Sequence, residues 1–327
     1  MSGSAAPAPE ISVVIPTYRR PAELEQAILA VAAQQTHGRS FEIVVIDNDP
    51  AGSAAPLISA LAGRSAVPLR CVAEPRAGIS FARNAGVAAA TGRYLAFLDD
   101  DEQIAPDWLD RLVSALERHG ADAAVGAVLP RFPPGAAIDP FCRRFYTRDA
   151  AVPTGTPLLR WNIGNSLFVK ERCFEGPEPF DPRLGLSGGE DTVFLRALTR
   201  RGRHMVWCAE APAWETVPAD RIAPAYLMRR AFRGGQTTTF TCFAVRPREP
   251  MRALRHMAVG AGQFLLYAPA ALLLRLLGRR QWQGLAAKAW AGLGKLLWYP
   301  GLHMRLYRRE PSAAAAPPLT ARLQREP

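Results

Sequence analysis

The sequence predicts an α/β fold, a mostly parallel central sheet flanked by helices, followed by apolar and amphipathic helices at its C-terminal end. Short β-branched runs alternate with segments of helical spacing through the first half of the chain, as in a parallel sheet with helical crossovers. An apolar run from Tyr94 stops abruptly at Asp99, Asp100, Asp101 and Glu102, and strand ends are where open α/β sheets bind ligands. The charge is divided: residues 221–327 hold 18 Lys plus Arg against three Glu, residues 1–220 hold 22 against 26 acids, and the net charge is +11.

Taken in order, Met1 to Glu10 is a short Ala/Pro/Ser tail, expected to be disordered, that lacks the basic and apolar regions of a secretory signal. Ile11 to Ile15 is a β-branched strand; Pro16 to Pro21 turns it into a helix, with Pro21 near the first helical position and Leu24, Ile28, Leu29 and Val31 at helical spacing. Phe41 to Ile46 is a second strand, closed by Asp47, Asn48 and Asp49, and Leu69 to Ala73 a third. Gly78 opens a helix that Ser80 is expected to cap, and its N-terminus and Arg83 suit phosphate. The acidic strand follows, with a helix from Pro106 to Arg118 whose start Asp107 can serve. Ala121 to Leu129 reads as a strand, Arg131 to Thr156 as an irregular connection, and Trp161 to Val169 as a strand again. Leu186 to Asp191 enters a further helix; Gly188 and Gly189 there allow close backbone approach to a ligand.

The acids need a counter-charge. Two full charges 4 Å apart cost roughly 4 kcal/mol at an effective dielectric of about 20, so a cation is expected beside them. Oxygen ligands suit Mg²⁺ or Mn²⁺. No G-x-G-x-x-G follows the first strand and no G-x-x-x-x-G-K-[ST] occurs, which leaves the carboxylates and a cation to recognise a nucleotide. Asp47 can accept the N3 hydrogen of a uracil ring or serve as a turn acid before Pro50. Glu190 or Asp191 can act as general base toward a sugar hydroxyl.

These motifs give the chain a likeness. Val14 to Pro21, Val44 to Asp49, Gly78 to Asn84, Phe97 to Glu102 with Trp108-Leu109, and Gly188 to Thr192 resemble the family 2 glycosyltransferases, most closely the succinoglycan-type exopolysaccharide β-glucosyltransferases. They span residues 11 to 235 in the family's order. The resemblance implies a GT-A fold and inverting transfer of a hexose from a nucleotide-diphosphate sugar, usually uridine-linked, to a saccharide acceptor. Carried over, Pro16, Thr17 and Tyr18 would line the nucleoside pocket, Asp47 would read uracil, and Arg83 would lie by the nucleotide. Asp99 and Asp100 would reach the ribose or sugar, Asp101 with Asp99 would hold the metal, and Asp191 would be the catalytic base with Glu190 as its substitute. Arg229, Arg230 and Arg233 fall where the family often has a mobile basic segment; with Asn165 they are candidate contacts for phosphate or acceptor. They depart from the Q-x-x-R-W form of processive synthases.

Beyond residue 235 a membrane-associating helical region is expected to 310, then a disordered tail over 311–327. Met257 to Leu274 is 18 residues without a charge, close to the minimum for a span. Arginines flank both ends, which suits a helix lying in the interface better than one crossing it. Trp282 to Tyr307 has the aromatic and basic composition of an interfacial segment. An anionic membrane surface is thus expected as partner rather than nucleic acid, with peripheral or monotopic attachment to the cytoplasmic face of the plasma membrane and an acceptor carried on polyprenyl diphosphate. Five scattered cysteines without a C-x-x-C pair fit a reducing compartment. The competing readings are a sugar nucleotidyltransferase, which lacks its glycine-rich loop here, and an inactive membrane-bound scaffold.

Overall fold

The computed structural model describes residues 8–158, 163–299 and 302. β1 (Ile11–Thr17), β2 (Phe41–Asp47), β3 (Leu69–Ala73) and β4 (Tyr94–Phe97) alternate with α1 (Pro21–Ala32), α2 (Ala55–Ala62) and α3 (Ile79–Ala89). There follow β5 (Glu102–Ile104), α4 (Trp108–Arg118), β6 (Ala123–Arg131), α5 (Pro140–Tyr146), β7 (Ser166–Val169), α6 (Lys170–Cys173), α7 (Glu190–Arg200) and β8 (Met205–Thr216). α8 (Pro224–Ala244), α9 (Pro250–Leu276) and α10 (Trp282–Leu296) close the described chain.

The eight strands form one sheet in the order β3-β2-β1-β4-β7-β6-β8-β5. The β3-β2-β1-β4 half is parallel, as is β6-β8; β4-β7, β6-β7 and β5-β8 are antiparallel. All seven residues of β1 are buried, as expected of a strand covered on both faces. One face packs Leu24, Ile28, Trp108 and Leu112 of α1 and α4; the other packs Ala82, Val87, Phe194 and Leu195 of α3 and α7. On that second face Phe97 meets Phe180 edge-on at 5.8 Å, and Phe180 meets Phe194 at 4.6 Å. Such pairs contribute about 0.5–1.5 kcal/mol each beyond area burial, and they fasten the start of α7 to the end of β4.

Several local expectations give way to tertiary contacts. Ser80 does not cap α3: Gly78 is the N-cap and Ser80 is buried within the helix. Asp107 makes no capping bond and pairs instead with Arg111 at 2.6 Å. The acidic run starts a short strand of its own, β5, because Glu102 to Ile104 finds β8 as an antiparallel partner. The connection over Arg131 to Thr156 contains α5, capped by Asp139. Glu10, assigned to the tail, is ordered by bonds to Ser40 and Arg39. Of the strand expected over Trp161 to Val169, Ser166–Val169 is strand and residues 163–165 are irregular; residues 1–7, 159–162, 300, 301 and 303–327, with the ends of the expected C-terminal segments, lie outside the described residues.

α8 runs without a break through residue 235. α10 fits between α8 and α9 because glycines allow it: a Cβ on Gly235 would lie 2.0 Å from the Ala291 oxygen, and one on Gly294 1.9 Å from the Phe232 oxygen. α9 is on the outside, and among the described residues it is the one helix long and apolar enough to cross a membrane. Leu265 is 73% exposed and Leu276 77%.

Candidate active site

The parallel half of the sheet brings the C-terminal ends of β1, β2 and β4 side by side, and the sequence-predicted residues gather there. Thr17, the last residue of β1, donates its hydroxyl to Asp100 Oδ2 at 2.8 Å. Pro16 is buried beside Ile46. Tyr18 is half-buried, with the Arg19 guanidinium 5.1 Å from its ring centre. Asp47 is buried, and its two oxygens accept the Ala54 N–H at 2.7 Å and the Asp49 N–H at 3.0 Å. It therefore shapes the turn after β2, and a carboxylate's remaining lone pairs are what it could still offer a base.

Arg83 lies in the second turn of α3, only 7% exposed, and joins the two acidic motifs. It pairs with Glu190 Oε1 at 2.5 Å and stands 3.7 Å from Asp99 Oδ1. The N-terminus of α3, expected to face phosphate, is covered by another loop: Ile79 N–H donates to the Gly185 oxygen. Gly189 also serves packing. Gly189 has φ +96, and a Cβ there would lie 2.7 Å from Thr237 and 2.9 Å from Thr241 of α8, so the close approach is to protein rather than to ligand.

Glu190 and Asp191 face different surroundings. Glu190 is buried; burial, then Asp191, push its carboxyl up to about 7 against the pull of Arg83, and its Oε2 has no hydrogen-bond partner among the described residues. Asp191 is half-buried and accepts the Thr192 N–H at 2.6 Å.

The acids do find cations, and these are arginines. Arg20 Nη1 donates to Asp100 Oδ1 at 3.0 Å and Asp101 Oδ2 at 2.8 Å. Arg148 stands 3.6 Å from Glu102 and 2.8 Å from Glu215. They do not saturate the cluster. Burial, then Asp99 and Asp100, push Asp101 up to about 7 despite Arg20; burial, then Asp99, push buried Glu102 well above the ordinary range. Asp99 has a third of its side chain open to solvent.

No group of three His, Cys, Asp or Glu side chains that could hold a metal is found among the described residues. A hard cation of the Mg²⁺ type needs no such cage, since it binds through one or two carboxylates, waters and substrate phosphate. The all-oxygen donors Asp101 and Asp99, with Asp100 and Glu102 adjoining and two arginines against them, fit that chemistry. A cavity of about 700 Å³ lined by Glu10, Thr91, Lys170 and Phe174 lies at the opposite edge of the sheet and touches none of these groups.

One expected contact is corrected, and another residue gains a packing role. Asn165 is fully buried: it accepts the Trp108 indole N–H at 2.8 Å and donates to the Ala127 and Ala211 oxygens, both at 2.8 Å. That leaves it a strut between strands rather than a contact for phosphate or acceptor. Arg230 stacks 5.0 Å from the Tyr146 ring centre and 5.8 Å from that of Phe145, so it packs α8 on α5; Arg229 is exposed and Arg233 half-buried. Sequence reasoning missed Arg20, Arg148 and Glu215. Arg20 sits in a motif that was legible, whereas Arg148 and Glu215 carry no local signal.

The mixed eight-stranded sheet, with acids at the C-terminal ends of its parallel strands, has the GT-A architecture. Residues 12–155 match the Glycosyl transferase family 2 profile. The chain is 34% identical over 228 residues, 69% of its length and 73% of the relative's, to the succinoglycan biosynthesis protein ExoM of Rhizobium meliloti. It is also 34% identical to ExoO of the same organism, over 63% of this chain and 59% of that one. The protein belongs to glycosyltransferase family 2. Among solved structures, the mannosyltransferase PcManGT of Pyrobaculum calidifontis, in complex with GDP-Man and Mn²⁺, superposes with a TM-score of 0.55 at 20% identity, over 90% of this chain and 88% of that one.

Proposed function

We propose that the protein is an inverting hexosyltransferase that uses a nucleotide-diphosphate sugar, with uridine as the base, and acts in exopolysaccharide or cell-surface glycan assembly. The observation that carries this is the link Asp99–Arg83–Glu190, which draws the Asp99 to Asp101 acids and the Glu190-Asp191 pair to one edge of the sheet. Asp191, the more open carboxylate, takes the proton of the acceptor hydroxyl as its oxygen attacks the anomeric carbon opposite the diphosphate. Glu190 stays behind it and orients Arg83. Asp101 with Asp99 would hold Mg²⁺ or Mn²⁺, which would neutralise charge growing on the leaving diphosphate. One displacement inverts the anomeric centre.

The acceptor is an oligosaccharide on a polyprenyl diphosphate at the cytoplasmic face of the membrane. The exposed apolar side of α9 and its flanking arginines support that reading, as does the likeness to the two succinoglycan proteins. Calorimetric titration of UDP and GDP, with and without Mn²⁺, tests the donor site. Metal-dependent UDP binding that Asp101→Asn weakens by at least about tenfold is expected. Folded wild-type protein that binds neither nucleotide under any condition would overturn the reading and favour a scaffold.

A further inference from the structure

Arg20 is placed by its backbone. Pro21 occupies the first position of α1 and keeps the preceding residue out of helical geometry, and Arg20 has φ −134 and ψ 60. Arg19 has φ +57, in the left-handed region that a non-glycine residue seldom adopts. It is held there by Asp49 at 3.2 Å and by stacking on Tyr18. Two successive constraints thus turn Arg20 away from the helix and back over the end of β1, onto Asp100 and Asp101. Its side chain remains 34% exposed, whereas Asp100 beneath it is 8% exposed and Asp101 15%. Arg20 is thus more open than the two carboxylates it pairs with.

We propose that Arg20 is an exchangeable counter-cation. It competes with the divalent ion for Asp101 and passes to the donor diphosphate when the ion takes its place, so that ion and diphosphate bind as one cooperative unit. This rests on the metal- and nucleotide-dependent transfer proposed above. A dication at Asp101 and a guanidinium on Asp101 Oδ2 repel each other across a few ångströms of partly buried space, so the ion alone binds at the expense of the Arg20 ion pair. A diphosphate offers the displaced guanidinium a second, planar-matching partner. Each ligand then helps the other by the same factor, as linkage requires. A merely structural Arg20, one that only holds the two carboxylates in position, would favour both ligands.

The two roles differ in sign. Mn²⁺ binding without nucleotide is read from the electron paramagnetic resonance signal of the free ion, and UDP binding at saturating Mn²⁺ from calorimetry. For Arg20→Met we expect nucleotide-free Mn²⁺ to bind about tenfold tighter and UDP about tenfold weaker. Arg20→Lys keeps a positive charge without the planar fork and should hold Mn²⁺ affinity near wild type. Thermal unfolding of each variant establishes that it is folded, and Arg20→Gln, which also removes the charge, carries the same two expectations if the Met variant is not. Mn²⁺ affinity that is unchanged or weaker in Arg20→Met, or unchanged UDP affinity, would overturn the counter-cation role while leaving the transferase reading intact. Wild-type protein that binds UDP but gains no affinity from Mn²⁺ would overturn the metal dependence proposed above and this inference with it.

Discussion

Arg83 and Glu190, 107 residues apart in sequence, form a buried ion pair that joins α3 to the first residue of α7. Breaking one side of a buried pair costs more than the pair contributes, because the remaining charge is stranded. Arg83→Met should therefore destabilise the protein by about 3 kcal/mol at pH 8. Glu190 already titrates near 7, above its ordinary 4.5, so its contribution is fully present at low pH and lost as pH rises through 7. Urea unfolding should accordingly show a smaller deficit at pH 5.5 than at pH 8. A deficit that does not depend on pH would show that Arg83 acts through packing alone.

Asp191→Asn should lower kcat by about 10²–10⁴-fold while UDP affinity changes by less than about twofold, since Asp191 serves the acceptor in the proposed mechanism. Glu190→Gln should impair both, because it also releases Arg83. Steady-state kinetics beside calorimetry separates the two, and equal losses of UDP affinity in both variants would reverse the assignment.

Asn165→Ala removes a side chain that makes three buried hydrogen bonds. The Trp108 N–H and two backbone oxygens would be left without partners, a cost of about 3 kcal/mol or more. Folded variant protein should keep its acceptor KM. A raised KM with unchanged thermal stability would restore Asn165 to the acceptor site.

Glu42 accepts bonds from Ser12 at 2.6 Å, Thr91 at 2.7 Å and Arg70 at 3.0 Å. Although burial opposes it, these partners bring the carboxyl down to about 2 from 4.5. The stability it supplies is present above pH 4.5 and is lost as pH falls through 2. Glu42→Gln should cost about 2 kcal/mol at neutral pH, and the gap to wild type should narrow toward pH 2 in chemical denaturation. A constant gap would contradict the linkage.

Leu265 and Leu266 are 73% and 64% exposed on α9, where glutamates should be tolerated. The double Leu→Glu variant should lose at least about tenfold in binding to phosphatidylglycerol vesicles, and wild-type binding should weaken with salt. Transfer to a soluble acceptor should be unaffected. Equal vesicle binding by both proteins would assign the exposed face of α9 to another partner.

Periodicity and the acidic run made the parallel half of the sheet legible, because β1 to β4 are set by local runs of apolar residues and by helices that directly follow them. The acids, Thr17 and the Glu190-Asp191 pair were legible for a related reason: each sits at a strand or helix end marked by its own neighbours, and Arg83 lies one turn inside the helix that Gly78 opens. β5 was not, since three residues become a strand only when β8 lies alongside. Neither the role of Asn165 nor the charge balance of the acids could be read from spacing. Asn165 looks like a loop polar residue until Trp108, Ala127 and Ala211 converge on it. The acidic run by itself demanded positive charge. That Arg20, Arg83 and Arg148 supply part of it was decided by the tertiary structure, because Coulomb energy depends on distances that sequence separation does not encode.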